Sequence, residues 1–178
     1  RPRMTNAVDM RRYKNAGLKR NPWGVVWSSS PDRGLHHLLA AWPEIKRAEP
    51  RARLHVFYDM QKWFNTVDLN KSQGRILNTT ALADALRERI KETEGMDVHL
   101  YGGVSQVRLA REQMQQTVGV ASLDVVAPTE GFGMTMLEYL AAGLSPIAGA
   151  IDAFPELWNE CAQLIPPPQS PEALTRAV

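Results

Sequence analysis

Two glutamates, Glu130 and Glu138, flank a glycine-containing turn in the segment "EGFGMTMLE" (130–138). If a helix begins near Gly133, Glu130 lies in the preceding loop and Glu138 lies about 7.5 Å further along the helix axis. Gly131 and Gly133 let the backbone approach a ligand closely. Amides at a helix N-terminus favour phosphate oxygens. The spacing therefore suits a diphosphate with a sugar on one side and a ribose on the other, although it also fits one loop charge and one solvated helix charge.

The adjacent pair His36 and His37 is the other group of residues that suggests chemistry. On a helix, neighbouring side chains point about 100° apart. No third ligand stands at a metal-binding spacing in the sequence, and the sequence contains no Asp-x-Asp pair. The sequence therefore predicts no metal site, with one histidine packed and the other at the surface.

Composition limits the class of protein. The chain has 178 residues, 44% of them apolar and 22% charged, with a net charge of +2. These values are typical of one globular domain and do not favour tight binding to nucleic acid. The single Cys161 excludes an internal disulfide framework and favours a reducing, cytoplasmic compartment.

Strand-like and helix-like segments alternate along the chain, which predicts an α/β fold with a doubly wound parallel sheet of five or six strands. The region 61–80 has no clear period and predicts a short helix around 61–65 with a surface excursion. Pro43 is a candidate kink. The predicted strands are 23–30, 52–60, 97–103, 121–128, 145–149 and 162–167. The predicted helices are 32–50, 81–95, 106–119, about 134–142, 154–158 and a last one after Ser170.

The segment "EGFGMTMLEYLAAGLSPIAG" (130–149) resembles the signature of retaining glycosyltransferases of the GT-B fold, especially family 4. Further segments resemble other family elements in the expected order: "TNAVD" (5–9), "SSSPDRGLHHLL" (28–39), "VHLYGGV" (98–104) and "FPELW" (154–158). The resemblance covers most of this chain. A complete enzyme of this family has a second half, and the resemblance does not extend to it. It implies an entry segment at 1–22 and a Rossmann-like donor-binding domain at 23–178, with the N-terminal acceptor domain absent.

The resemblance also implies roles for particular residues. Glu130 and Arg33 match catalytic positions, near the donor sugar's hydroxyls and the diphosphate respectively, and Glu138 matches the ribose-binding carboxylate. A second basic residue of the family pattern falls on Ser28, and "PTE" is two residues shorter than usual. The remaining implied donor-binding residues are Ser30 in the phosphate loop, Gly131, Phe132, Gly133, Met134 and Thr135 in the turn, and Tyr101, Gly102, Gly103 and Val104 beside the base. For Tyr101, the residue type fits stacking on the base and packing in the core.

The reaction implied is transfer of a hexose from a nucleoside-diphosphate sugar to an acceptor hydroxyl with retention of configuration. It needs no cofactor and no metal. The acceptor, a glycan, lipid or protein, binds through the missing N-terminal domain, and peripheral association of the full enzyme with a membrane is left open. Two alternatives remain at this point: a catalytically silent binding module, and a sugar-nucleotide epimerase of the same fold. A dinucleotide-dependent oxidoreductase requires a Gly-x-Gly-x-x-Gly turn, which "WSSSPDRG" (27–34) lacks.

Overall fold

The computed structural model describes residues 6–14, 17–75, 78–124 and 131–178. The described strands form one sheet in the order β3-β2-β1-β4-β5-β6, and every pair in it is parallel. The strands are β1 (Gly24–Trp27), β2 (Arg53–Val56), β3 (Val98–Leu100), β4 (Val118–Ala121), β5 (Ser145–Gly149) and β6 (Gln163–Ile165). The helices are α1 (Leu35–Ala48), α2 (Met60–Ser72), α3 (Thr79–Glu92), α4 (Gln106–Met114), α5 (Met134–Ala141), α6 (Phe154–Trp158) and α7 (Pro171–Ala177). The predicted doubly wound α/β fold is confirmed.

The central strands are apolar without alternation because helices cover both faces of the sheet. Val25, Val26 and Trp27 are each at most 2% exposed. Val25 and Trp27 belong to a core with α1, α2, α3 and α7, whereas Val26 belongs to a core with α4, α5 and α6. Within the described residues, no helix has both the length and the apolar character required to cross a bilayer.

The boundary between α4 and β4 differs from the prediction. The sequence predicted a helix to 119 and a strand over 121–128, but α4 ends at Met114 and β4 covers Val118–Ala121. β4 pairs with β1 and β5, and Ser122 then takes a left-handed conformation with φ 46°. The strand was placed too late because small residues around Gly119 interrupt the apolar run. The predicted strand segment 125–128 lies outside the described residues.

Two helices also depart from the predictions. Pro43 lies inside α1, which continues from Leu35 to Ala48 without interruption. α2 runs for 13 residues from Met60, instead of the short helix expected around 61–65. The Asp59 side chain starts α2 by accepting a hydrogen bond from the Lys62 amide at 3.0 Å. Phe64 and Val67 face the core, but polar residues between them obscure the helical period.

The segment before β1 is fastened to the domain by Arg20. Its guanidinium donates to the carbonyls of Gln116, Gly143 and Ala142, each at 2.8 Å. Two of these carbonyls lie just past the end of α5, where a cation is favourable.

Arg20→Ala is expected to lower the free energy of unfolding by about 1–2 kcal/mol, because three partly exposed charge-assisted bonds are lost. Urea unfolding followed by circular dichroism measures this change. Arg11→Ala is the matched control, because Arg11 is 84% exposed and pairs with Asp9 at the surface, so its loss should change stability by less than about 0.5 kcal/mol. Equal losses in both variants would show that Arg20 does not anchor the segment.

Candidate functional site

A cleft of about 560 Å³ opens at the carboxyl edge of the sheet, where β1, β2 and β3 end. This edge is where open α/β sheets bind ligands, because their loops converge there. Residues after each of the three strands line it, together with α2 and α4. The lining consists of Ser28, Phe57, Tyr58, Asp59, Lys62, Trp63, Thr66, Gly103, Val104, Gln106 and Leu109.

The α2 wall of the cleft was missed in the sequence, because that region showed no clear helical period. It presents an exposed cation, Lys62, and a half-buried indole, Trp63. An ammonium group and an aromatic ring suit a ligand with a phosphate or carbonyl group and a flat base. Asp59 three residues before Lys62 was the available signal, because aspartate is a preferred N-cap.

A buried polar network lies beneath Ser28 on the cleft floor. The Gln113 amide donates to Ser28 Oγ at 3.1 Å, and Tyr13 Oη donates to Gln113 Oε1 at 3.2 Å. Ser28 also donates its backbone N–H to Tyr139 Oη at 3.0 Å. The phenol of Tyr139 contacts the carbonyls of Val26 and Val120 as well, so it joins two neighbouring strands. Where the family pattern has a basic side chain, this chain therefore has a small hydroxyl held by Gln113 and Tyr139.

Glu138 reaches the same network from α5. Burial raises the pKa of its carboxyl group, while a hydrogen bond from Gln113 and the charge of Arg12 act in the opposite direction. The half-buried carboxylate is thus one residue, Gln113, away from Ser28 on the cleft floor. A carboxylate in this setting is a strong acceptor for hydroxyl groups of a ligand.

The turn before α5 is held by α6. Trp158 Nε1 donates to the Phe132 carbonyl at 2.9 Å, and the two rings meet edge to face with centroids 5.4 Å apart. Gly133 precedes the helix with φ 72°, and a Cβ there would come within 2.5 Å of the Phe154 ring. Packing against α6 therefore sets the direction in which the first amides of α5, those of Met134 and Thr135, point. Met134 is 40% exposed, and Gly131 has open space around it.

Arg33 lies in the 3-10 turn Pro31–Arg33 between β1 and α1, and the Ser30 carbonyl accepts the Arg33 N–H at 3.1 Å. Ser30 Oγ lies 3.5 Å from Tyr58 Oη, and Tyr58 lines the cleft. α1 and α5 pack on opposite faces of the sheet, so Arg33 and Glu138 approach its carboxyl edge from either side. Glu130 lies outside the described residues.

The residues predicted to lie beside a base divide into two groups. Gly103 and Val104 line the cleft, and Gly102 next to them has φ 72°. Tyr101 is 38% exposed and stacks on Phe57 with centroids 4.7 Å apart, and its hydroxyl lies 3.0 Å from His55 Nδ1. Tyr101 is therefore not a core residue.

His36 and His37 do not divide into one packed and one surface residue, as the sequence suggested. Both are half-buried, and their ring centroids are 4.0 Å apart. Asp124, from the loop after β4, lies 3.3 Å from His37 Nε2. Burial is the main cause that lowers the pKa of His36 to about 4, and the neighbouring His37 lowers it further. The prediction from the helical angle failed because the orientations of the two side chains bring their rings together, and because the third group, Asp124, comes from a loop distant in the sequence.

Comparison with known proteins gives the family. The family model described as "Glycosyl transferases group 1" matches residues 24–178, which is most of the chain. The chain belongs to the group 1 glycosyltransferases. Among curated proteins, none matches this glycosyltransferase chain significantly in sequence.

Solved structures share the fold of this group 1 glycosyltransferase. AviGT4, a glycosyltransferase involved in avilamycin A biosynthesis, is 14% identical over 96% of this chain and 46% of its own, with a TM-score of 0.63. The C-terminal domain of the group 1 family protein LpcC from Francisella tularensis is 14% identical over 94% of this chain and 78% of its own, with a TM-score of 0.58.

A third structure is that of the pneumococcal O-GlcNAc transferase GtfA in complex with UDP and GlcNAc. It is 15% identical over 93% of this chain and 29% of its own, with a TM-score of 0.58. The chain thus spans less than half the length of AviGT4 and of GtfA. The fold is that of the C-terminal half of a GT-B glycosyltransferase.

Proposed function

We propose that this chain is the donor-binding half of a retaining hexosyltransferase that uses a nucleoside-diphosphate sugar. The observation that carries the proposal is the cleft at the carboxyl ends of β1, β2 and β3, whose lining residue Ser28 is linked through Gln113 to Glu138 of α5. Residues 23–178 form the donor-binding domain in this proposal, and 1–22 is the entry segment from an acceptor domain. The family match over 24–178 supports that division.

In the proposed complex the base occupies the cleft beside Gly103 and Val104, where Trp63 and Tyr58 offer aromatic surfaces. The ribose hydroxyls donate to the half-buried Glu138 carboxylate. The diphosphate lies along the first amides of α5 and receives charge from Arg33, because a helix N-terminus and a guanidinium both favour phosphate. Glu130 accepts from hydroxyls of the donor sugar.

The proposed chemistry breaks the bond between the anomeric carbon and the β-phosphate oxygen, and forms a bond from that carbon to the acceptor oxygen on the same face. The diphosphate leaves with the bonding electron pair and takes up the proton of the acceptor hydroxyl. Arg33 and the N-terminus of α5 stabilise the charge that develops on the leaving group, so that no metal is required for transfer. Preorganised donors of this kind cost no reorganisation during the reaction.

The whole enzyme would take its acceptor, a glycan, lipid or protein, on the second domain, with no role for nucleic acid. We place it in the cytoplasm, with peripheral membrane association where the acceptor is a lipid. The isolated chain is then expected to bind the donor without efficient transfer, because acceptor contacts come from the other domain.

Calorimetric titration of the chain with a panel of nucleoside diphosphates and nucleotide sugars tests the proposal. UDP and UDP-GlcNAc are the first probes, because the related GtfA structure contains UDP and GlcNAc. We expect one type of nucleotide in the panel to bind at a single site. Its sugar conjugate is expected to bind at the same site. Absence of binding across the panel would reject the donor-binding role. Conversion of a nucleotide sugar to its epimer without an acceptor would support an epimerase instead.

Gly103→Leu is expected to weaken nucleotide binding at least tenfold while changing the free energy of unfolding by less than about 0.5 kcal/mol. Gly103 is exposed, and a Cβ there meets Asp59 Cβ at an ordinary 3.6 Å, so the leucine side chain extends into the cleft. Titration of the variant measures this effect. Val107→Leu, at a position 68% exposed and outside the cleft lining, should leave affinity unchanged. If Gly103→Leu binds the nucleotide with unaltered affinity, the base does not bind in this cleft.

A further inference from the structure

We propose that His36, His37 and Asp124 form a binding site for a divalent transition-metal ion, of which Zn²⁺ is the best-suited example. The three side chains come from the first turn of α1 and from the loop after β4. The site is separate in its ligands from the residues assigned to the donor, and it would operate without nucleotide.

The geometry brings three metal-ligating atoms together. One ligand atom from each side chain lies within 4.8 Å of the other two. The two imidazole rings are 4.0 Å apart at their centroids and tilted by 37°, and His37 Nε2 is 3.3 Å from Asp124 Oδ2. Ligands bound tetrahedrally to one zinc ion at about 2.0–2.2 Å lie roughly 3.3–3.6 Å from one another, which is inside this limit. Side-chain rotation would have to bring the three ligand atoms to that spacing.

The backbone around the site is fixed by a close approach of two loops. The amides of Leu123 and Asp124 both donate to the Arg33 carbonyl, at 2.8 and 3.2 Å. Gly34 makes this approach feasible, because its φ is 96° and a Cβ there would lie 2.7 Å from the Asp124 nitrogen. The cluster therefore rests on two tethered segments and not on a mobile surface.

A second observation points to a missing ligand. Nδ1 of His36 is buried and has no hydrogen-bond partner among the described residues. A ring nitrogen left without a partner in a half-buried position costs free energy unless something compensates for it. Binding one ring nitrogen to a metal fixes the tautomer and orientation of the imidazole. A metal ion bound at this nitrogen would supply the partner that it lacks among the described residues.

The donor set selects the type of ion. Two imidazoles and one carboxylate suit Zn²⁺ and other borderline ions, whereas Mg²⁺ and Ca²⁺ prefer oxygen ligands alone. Three protein ligands leave a coordination position for water. A metal here would join the start of α1 to the segment that directly follows β4.

The experiment titrates Zn²⁺ into the 178-residue chain after chelator treatment, without nucleotide and without an added histidine tag. All proteins carry Cys161→Ser, because Cys161 is exposed and could bind the ion itself. Binding of one equivalent and a rise in Tm are expected, since a ligand that binds only the folded state stabilises it. Mg²⁺ at the same concentration should neither bind nor raise Tm.

Two cluster variants and a matched control locate the ion. His37→Gln and Asp124→Asn should each weaken Zn²⁺ binding at least tenfold, because even the loss of a group that only hydrogen-bonds to a metal ligand costs about 10–100-fold. His99→Gln removes a histidine elsewhere in the sheet and should leave the affinity unchanged. Tm in chelator verifies that each variant is folded. The proposal is overturned if no Zn²⁺ binds, if both cluster variants bind it normally, or if His99→Gln loses binding to the same extent.

Discussion

Gly133→Ala is expected to lower the free energy of unfolding by about 2–5 kcal/mol, the sum of a backbone cost and a packing cost. The left-handed backbone at φ 72° costs an alanine about 1–2 kcal/mol. The added Cβ would also lie 2.5 Å from the fully buried ring of Phe154, and such overpacking typically costs about 1–3 kcal/mol more. Chemical unfolding monitored by tryptophan fluorescence and circular dichroism gives the value.

Gly95→Ala separates the two contributions to that loss. Gly95 has φ 79°, and the Cβ that an alanine adds there would have no other heavy atom within 4 Å, so the substitution carries the backbone cost without a clash. A loss of about 1–2 kcal/mol is expected there. If Gly133→Ala costs no more than Gly95→Ala, α6 does not hold the turn rigidly, and the direction of the α5 amides is not fixed by packing.

Glu138→Ala is expected to weaken binding of a nucleoside diphosphate and of its sugar conjugate equally, by about 1.5–3 kcal/mol. The reason is that the half-buried carboxylate is the proposed acceptor for ribose hydroxyls, which both ligands share. Calorimetry with the two ligands measures the loss. Glu156→Ala, which removes an exposed glutamate of α6, is the control and should leave both affinities unchanged. Normal binding by Glu138→Ala would make Glu138 a structural partner of Gln113 only.

Two further substitutions distinguish the parts of the ligand. Glu130→Ala should weaken the sugar conjugate and leave the plain nucleoside diphosphate nearly unchanged, because its proposed partner is the sugar. Arg33→Ala should weaken both ligands and reduce the salt dependence of binding, because it removes the charge that we propose stabilises the diphosphate. Equal and small effects from Arg33, Glu130 and Glu138 would show that the chain shares the fold without the donor site.

The fold could be predicted because its central strands are buried on both faces and several of its helices begin or end at recognisable residues. "GVVW" at β1 has no alternation, and Ser170 with Pro171 marks the start of α7. The start of β4 could not be predicted, because residue 119 is a glycine that leaves room for an aromatic side chain from another element. A Cβ there would lie 2.5 Å from the Tyr139 ring, which reaches between the strands from α5. That contact joins residues distant in the sequence and leaves no local pattern.

Some residues of the candidate site could be recognised in the sequence, and others could not. The Gly133 turn was recognisable in the sequence because a left-handed position before a helix requires glycine. The positions of Lys62 and Trp63 in the cleft could not be recognised in the sequence, because they depend on how α2 packs against α3 and the core that it shares with β2. Asp124 joins His36 and His37 through a contact between two loops, and no spacing in the sequence predicts it. Local constraints are readable from one segment, whereas contacts between loops are not.

A crystal structure of the chain bound to UDP, followed by one with UDP-GlcNAc, tests the central claim most directly. The account predicts the base in the cleft beside Gly103 and Val104, the ribose at Glu138, and the diphosphate at the N-terminus of α5 within reach of Arg33. Density for the nucleotide at the amino edge of the sheet, or in the cleft with its diphosphate directed away from α5, would contradict it.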